Sequence, residues 1–492
     1  MEPRRAARSI RRRTDAPRDP RVPASCESKK LRILTWGINY LPEKIGIAPC
    51  NAVLCEFLAK SGHEVTMLTS FPYYPAWHKE TEDRYRLFAS ETIDGVRVKR
   101  CWHYVPRQAN ALKRILHELS FVLTSFIRAL FLSKPDLLIV VSPPLLLGAA
   151  ARILCRLRRT RYVMHIQDLQ PDAAIDLGML RSRRLIALLK FLESVAYHGA
   201  SRISAISHGM LDRLLKRGVP IEKLVYFPNG TSPAMAVAEG KFRKMSGFDP
   251  DNFLVVYSGN IGVKQGLSKL IEAAEELRDT SIQFIICGDG AKREHLVNSA
   301  RQLKNVHFKA ILEKREYQEM LADADLLIIL QTSGSAGAFF PSKFLSGCTA
   351  GKPVLAVCDP LSELANVVRA HGCGIVVPPG SALTIAEAIR GLANDPKQLS
   401  RMGEAANRVG EQLLWSRFLP GTLRQLGIPL VYRRANDGDG VAVKMGCRQG
   451  GPSRTGGQGH IPHHFNNDWE VCRVGRRSSD ASWRGTRGGC RS

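Results

Sequence analysis

Short apolar runs recur along residues 31–377, and the stretches between most of them bring an apolar side chain back every third or fourth position. The run Phe-Leu-Val-Val-Tyr at 253–257 shows the first kind: consecutive β-favouring residues with no polar alternation mark a strand covered on both faces. Strands of this type are predicted at 31–36, at the end of 62–69, and at 96–101, 137–141, 162–165, 203–205 and 225–227. A second series begins at Phe253, Ile282, Val306, Leu326, Val354 and Ile375. Helical patterns separate them, the first over 48–61. Strands alternating with helices imply parallel pairing through right-handed crossovers. The expected fold class is therefore α/β, with two doubly wound, parallel-sheet, Rossmann-like domains facing across a cleft.

The alternation is interrupted once. After Phe227-Pro-Asn-Gly230, residues 231–248 show neither a strand nor a long helix, which places a linker there and gives domains at 31–228 and 229–410. An amphipathic segment at 411–428 is left free to pack elsewhere. Residues 1–30 and 429–492 lack periodicity and apolar content, so they are expected to be disordered, basic ends.

Composition changes this picture little, but charge does. The chain has 492 residues, 44% of them hydrophobic, ordinary for a protein that buries real cores. Its net charge is +26, unevenly spread: residues 31–228 hold 28 Lys/Arg against 16 acids, whereas 229–429 hold 22 against 20. A one-sided field of this kind suits a polyanionic partner, either nucleic acid or an anionic membrane. Two stretches of the basic half, 111–132 and 181–192, mix bulky apolar residues at helical spacing with cations, as interfacial helices do. No uncharged apolar stretch is long enough to span a bilayer, and no secretory apolar region follows the Arg-rich start. A cytoplasmic protein is expected. The twelve cysteines have no Cys-x-x-Cys or zinc spacing and read as small buried hydrophobes in a reducing compartment.

Candidate chemistry collects at predicted strand ends, where doubly wound sheets bind ligands. Tyr257-Ser-Gly-Asn-Ile-Gly-Val-Lys-Gln-Gly266 joins a strand to a helix. Its glycines Gly259, Gly262 and Gly266 suggest backbone N–H groups open to an anion, and Lys264 adds a charge. Gly288-Asp-Gly290 ends the next strand, where Asp289 reads as a helix cap. In Pro341-Ser-Lys343 the first two residues suit a helix start, so Lys343 falls on its first turn as a second anion contact. The first domain offers the loop Gly37 to Ile47, the segment Phe71-Pro-Tyr-Tyr-Pro-Ala-Trp77, Ser142-Pro-Pro144 and His165-Ile-Gln-Asp168. No Asp-x-Asp near a strand end calls for a divalent ion, and no Gly-x-Gly-x-x-Gly follows the first strand, against a dehydrogenase or epimerase.

Taken together, Gly37-Ile-Asn-Tyr-Leu-Pro-Glu43 with Gly46-Ile-Ala48, Gly62-His-Glu-Val65, Pro72-Tyr-Tyr-Pro75, His165-Ile-Gln-Asp168, Phe227-Pro-Asn229, Tyr257-Ser-Gly-Asn-Ile-Gly262 with Lys264-Gln-Gly266, and Pro341-Ser-Lys343 with Gly351-Lys-Pro353 resemble the family 4 retaining glycosyltransferases of GT-B fold, in particular the colanic acid biosynthesis fucosyltransferase-like branch. The resemblance spans roughly residues 31–426. It implies transfer of a sugar from a GDP- or UDP-linked donor, bound by the second domain, to a lipid-linked glycan on the first, with no metal or other cofactor. It also implies a last helix that crosses back to the first domain, and a protein peripheral on the inner face of the cytoplasmic membrane, with the anionic membrane surface rather than nucleic acid as its partner. Lys264 and Lys343 are then the cations on the leaving diphosphate and His165 the histidine near the sugar. Gly46, Asp168, Gly259, Asn260, Gly262, Gly288, Gly290, Pro341 and Ser342 complete the substrate contacts. Asn260 stands where many members carry arginine. The family's Glu-x7-Glu pair is replaced by Ala338 and Ser346, which raises the alternative of a non-catalytic relative that binds nucleotide or membrane.

Overall fold

A computed structural model describes residues 29–430, apart from 45, 107–110, 173–174, 176–181, 234–236, 263–264 and 333–340. Most of both expected basic ends, Lys264 and Ala338 therefore lie outside the described residues.

The apolar runs become two sheets. The first contains β1 (Arg32–Trp36), β2 (Glu64–Ser70), β3 (Phe88–Ile93), β4 (Val96–Cys101), β5 (Leu137–Ser142), β6 (Arg161–Ile166), β7 (Arg202–Ala205) and β8 (Leu224–Tyr226), in the order β3-β4-β2-β1-β5-β6-β7-β8. The second contains β9 (Phe253–Ser258), β10 (Ile282–Cys287), β11 (Val306–Lys309), β12 (Leu326–Leu330), β13 (Val354–Val357) and β14 (Gly374–Val377), in the order β11-β10-β9-β12-β13-β14. Strand order reverses beside β1 and β5 in one sheet and beside β9 and β12 in the other, the points where crossovers diverge and a crevice opens at strand C-termini.

One strand departs from the expected parallel pattern. β3 runs antiparallel to β4, with Phe88 opposite Cys101 and Ile93 opposite Val96. It is a mostly exposed edge of polar and apolar residues, so its periodicity is weak. The turn Asp94-Gly95 was the available signal: both residues have positive φ, 48° and 78°, as a two-residue hairpin requires.

Helices cover both sheets. The first domain carries α1 (Ala48–Lys60), α2 (Ala111–Leu130), α3 (Leu146–Arg158), α4 (Arg183–Gly199) and α5 (His208–Lys216). The second carries α6 (Lys241–Ser246), α7 (Ser268–Glu276), α8 (Arg293–Ser299), α9 (Lys314–Asp323), α10 (Ser342–Thr349), α11 (Glu363–His371), α12 (Ala382–Ala393) and α13 (Pro396–Gln412). Helix α6 falls inside the stretch expected to be structureless. Its six residues are too few to show a helical period in the sequence, and Gly240 and Gly247 flank it in left-handed conformation.

A last helix, α14 (Trp415–Gln425), leaves the second domain and inserts Trp415, Leu419 and Leu423 among Val225, Phe227, Leu58 and Val163 of the first. The chain then runs on to Pro429, whose carbonyl lies 2.7 Å from His63 Nε2. Gly230, at the start of the connection, has no room for a side chain: a Cβ there would lie 2.6 Å from the Trp415 ring and 2.7 Å from Phe418.

Candidate functional site

The strand C-termini of the two sheets are bridged by side-chain contacts on both flanks. Lys44, in the loop after β1, pairs with Glu313, which precedes α9 after β11, at 3.0 Å. Glu363, the first residue of α11 after β13, accepts hydrogen bonds from the backbone N–H groups of His208 at 2.7 Å and Gly209 at 2.9 Å, on the first turn of α5 after β7. The loops that carry the candidate residues follow β1, β2, β6, β9, β10 and β12.

On the first domain the loop after β1 is held by one buried carboxylate. Glu43 accepts from the Tyr73 and Tyr74 backbone N–H groups at 3.0 and 2.9 Å and from the Asn39 side chain at 2.9 Å. Burial pushes its carboxyl above the usual carboxylate range, and these three donors pull it back. Glu43 thereby ties the β1 loop to the aromatic loop after β2. Gly46, with φ +71°, faces that loop, and a Cβ there would stand 3.3 Å from the Tyr74 ring.

His165 requires a correction. Expected at a cleft edge near the sugar, it is buried in β6, 3% exposed, with its ring against Phe227 at 4.5 Å. Gln167 Nε2 donates to His165 Nε2 at 2.8 Å, which leaves the Nδ1–H to donate to Ser204 Oγ at 3.0 Å. Burial lowers its pKa to about 3. It is held neutral, with both ring nitrogens engaged by protein partners. What it supports is nearer the cleft: the Gln167 amide makes two hydrogen bonds with Asn229, at 2.9 and 2.8 Å, next to Gly230. Asp168, partly buried, stands just past the end of β6.

On the second domain the turns after β9 and β10 are zipped together. Gly259 N donates to Cys287 O at 3.0 Å, Ile261 N to Asp289 O at 2.8 Å and Lys292 N to Ile261 O at 3.0 Å. The Gly259 N–H is thus not open to an anion as expected. The glycines serve close approach instead: a Cβ on Gly288 would fall 1.9 Å from Gly259 O, and one on Gly290 2.5 Å from Ile261 O. Tyr257 Oη donates to Asn260 O at 2.8 Å and braces the turn. Beside Gly262, the buried Gln265 Oε1 has no hydrogen-bond partner among the described residues. Pro341 precedes α10 and Ser342 begins it, so Lys343 lies on its first turn. The Lys343 ammonium sits 4.9 Å over the Tyr317 ring, and the Tyr317 hydroxyl accepts from Ser258, the last residue of β9, at 3.3 Å. Lys343 and the Gly259 turn therefore belong to one surface. Ser346, partly buried in the same helix, offers no carboxylate.

Among the described residues no three His, Cys, Asp or Glu side chains converge on a metal-binding group. A cavity of about 450 Å³ bordered by Phe253, Ile282 and Asp325 opens at the opposite, N-terminal strand ends and has no part in this arrangement. The residues that sequence reasoning missed are Glu118 on α2, half-buried beside Gln170, and Glu363. Glu118 carried a signal, a lone acid in a basic apolar helix. Glu363 carried none, because its partners are backbone N–H groups 154 and 155 residues away.

Comparison with known proteins agrees with the two-domain fold. Residues 46–230 match the model described as a glycosyl transferase 4-like domain, and residues 239–409 that of glycosyl transferases group 1. WcaI of Escherichia coli (strain K12), named for glycosyl transfer in colanic acid biosynthesis, is 33% identical over 399 residues, covering 77% of this chain and 96% of its own. WbjE of Pseudomonas aeruginosa, named as a glycosyltransferase, is 24% identical, covering 51% of this chain and 64% of its own. Among solved structures, a sucrose-phosphate synthase from Thermosynechococcus elongatus superposes with TM-score 0.62 at 18% identity, over 81% of this chain and 99% of that one. Anabaena HepE, solved with UDP-glucose, gives TM-score 0.59 at 16% identity over 81% and 99%. At these identities the likeness is one of fold.

Proposed function

Because the chain belongs to the GT-B glycosyltransferases that pair a glycosyl transferase 4-like domain with a group 1 domain, we propose that it moves a sugar from a nucleotide diphosphate to a growing, lipid-linked cell-surface glycan with retention of configuration. The observation that carries this reading is the meeting of the zipped Gly259 and Gly288 turns with Lys343 on the first turn of α10. Glycosyl transfer builds negative charge on the departing diphosphate. Fixed cations and helix-end dipoles stabilise that charge without having to reorganise. Lys343 and Lys264 take this role, with the turn at Asn260 to Gly262 and the edge at Gly288 to Gly290 shaping the donor pocket. No divalent ion is then needed. The departing phosphate itself takes the acceptor proton, so no carboxylate base is required.

A UDP- or GDP-linked donor suits the neighbours, since HepE was solved with UDP-glucose. WcaI and its colanic acid name support an exopolysaccharide acceptor. No described helix is long and apolar enough to cross a membrane, so a lipid-linked acceptor would be met from the surface, with the basic first domain on the inner face.

The test is turnover across a panel of UDP-, GDP- and dTDP-sugars in the presence of chelator. Lys264→Ala and Lys343→Ala should each lower kcat by ~100-fold or more with melting temperature unchanged, since cations matched to developing charge act mainly on the transition state. Wild-type protein that binds nucleotide sugars but neither hydrolyses nor transfers them would favour the non-catalytic reading. Loss of all turnover on chelation would overturn the metal-free mechanism.

A further inference from the structure

We propose that the start of α2 and the aromatic loop after β2 form a pyranose-binding subsite for the acceptor glycan, with Trp77 as the stacking platform and Glu118 and Arg114 as the hydroxyl-binding pair. This rests on the transferase reading above and names the part of the molecule that reads the acceptor.

The subsite is built from three elements that reach the C-terminal side of the first sheet independently. Trp77 lies in the loop after β2, only partly buried, with its backbone at φ +53°. A bulky residue adopts that conformation at a cost, and such strain persists where the surroundings hold the side chain in a required place. Here they do. The indole packs on Tyr73 at 5.6 Å and His117 at 5.4 Å, while the Arg114 guanidinium lies 5.7 Å from its ring centre. One helical turn after Arg114, Glu118 receives a hydrogen bond from Gln170 Nε2 at 3.2 Å, and Gln170 Oε1 in turn accepts from Leu145 N at 3.0 Å. The carboxylate is therefore oriented from the loop after β6, and its other oxygen takes no hydrogen bond from the described residues. Glu118 is half-buried, and its carboxyl is raised to about 6 by burial, against the pull of Gln170 and Arg114. A half-buried carboxylate with accepting capacity left among the described residues, beside a guanidinium that itself lies against an indole, matches what a sugar presents: hydroxyl donors and acceptors around the rim and an apolar ring face.

Its position fits an acceptor. Tyr74, in the same loop, touches Gly46 on the β1 loop, and two residues before Gly46 Lys44 makes the crossing to Glu313 of the second domain. The aromatic loop of the subsite thus adjoins the β1 loop that reaches the second domain. Along α2 the exposed apolar side chains Leu119, Leu123 and Ile127 continue from Glu118 toward the far end of the helix. A glycan whose lipid lay along that stripe would bring its sugar to this end.

The experiment uses the full chain with two readouts. Saturation-transfer NMR with the methyl glycosides of glucose, galactose, mannose and fucose reports binding directly; a methyl aglycone keeps the apolar stripe out of the measurement. Acceptor and donor KM are measured separately by transfer. At least one glycoside should give saturation transfer with wild-type protein that Glu118→Gln and Trp77→Ala reduce at least fivefold. The same variants should raise acceptor KM tenfold or more and leave donor KM and donor hydrolysis unchanged. Glu118→Asp should recover part of the loss, which a merely structural role would not give. Glycoside binding and acceptor KM equal to wild type in both folded variants would overturn the subsite, as would a wild-type protein that binds none of the four. Absence of transfer by a wild-type protein whose glycoside binding depends on Glu118 would leave the subsite standing and sink the transferase reading instead.

Discussion

At the residue scale, His165 shows how an identical local pattern can serve two ends. A histidine near a strand C-terminus fits a ligand contact and a core strut equally, and what decides is a set of partners distant in sequence. Ser204 comes from β7, 39 residues on, and Phe227 follows β8. A buried imidazole held neutral makes folding pH-dependent with a definite sign. Its folded pKa lies below the unfolded one, so the unfolded chain binds the extra proton, and stability present above about 6.5 is lost as pH falls toward about 3. Wild-type stability should therefore drop between pH 7.5 and 5. In His165→Gln that drop should be smaller by roughly 2 kcal/mol, the value of ~1.5 pKa units. Urea unfolding at the two pH values measures it, and equal slopes for both proteins would show that the histidine is not held neutral.

At the scale of elements, the buried strands were the most legible part of the chain, because a parallel strand covered on both faces writes its burial as an unbroken apolar run. β10 was readable to the residue as Ile282–Cys287, and β4 as Val96–Cys101. β3 and α6 were not, one because it is an exposed edge and the other because it is shorter than two helical turns. The readings at the site divide the same way. Lys343 sits on the first turn of its helix because Pro341 and Ser342 signal that start locally, whereas the N–H of Gly259 is consumed by a carbonyl 28 residues later, which no local pattern announces. Helix α2 has both kinds of information. Its periodicity predicted the helix, and its structure separates an inner face at Phe121 and Val122 from an outer one where Leu123 is 59% exposed and Phe131, just past the helix end, 85%. Ile153 and Leu157 of α3 and Leu188 and Phe191 of α4 extend this apolar surface among basic side chains. Insertion of large apolar side chains is worth ~1.5–3 kcal/mol each, more than scattered cations alone supply at ~1 kcal/mol apiece. The double variant Leu123→Glu with Phe131→Glu, made in the full chain so that both basic ends are retained, should lose at least tenfold in sedimentation with phosphatidylglycerol vesicles at low salt. Sedimentation equal to wild type would remove α2 from the membrane face.

At the scale of the whole molecule, the two sheets are joined covalently through Gly230 and again by α14, and among the described residues the polar contacts of Glu363 with α5 and of Lys44 with Glu313 bridge their strand ends. Of these the Glu363 carboxylate is the stronger, because it takes two backbone donors on the first turn of α5, where the helix dipole adds to the charge. His208 stacks on Tyr226 at 4.1 Å, which fixes the backbone that Glu363 grips. Lys44 and Glu313 form an exposed pair on the other flank, worth ~1 kcal/mol at most. Closure of the domains over a donor should then depend chiefly on Glu363. Charge-assisted hydrogen bonds contribute ~1.5–3 kcal/mol, so losing them should shift an open–closed equilibrium about tenfold or more. Glu363→Ala should enlarge the radius of gyration seen by small-angle scattering and lower kcat about tenfold. Its melting temperature should stay within a few degrees of wild type, because the core of each domain is untouched. Lys44→Ala should change neither by more than about twofold. If Glu363→Ala scatters and turns over like wild type, closure is held by the packing of Trp415 and Phe418 around Gly230, and the carboxylate crossing follows the closed state without stabilising it.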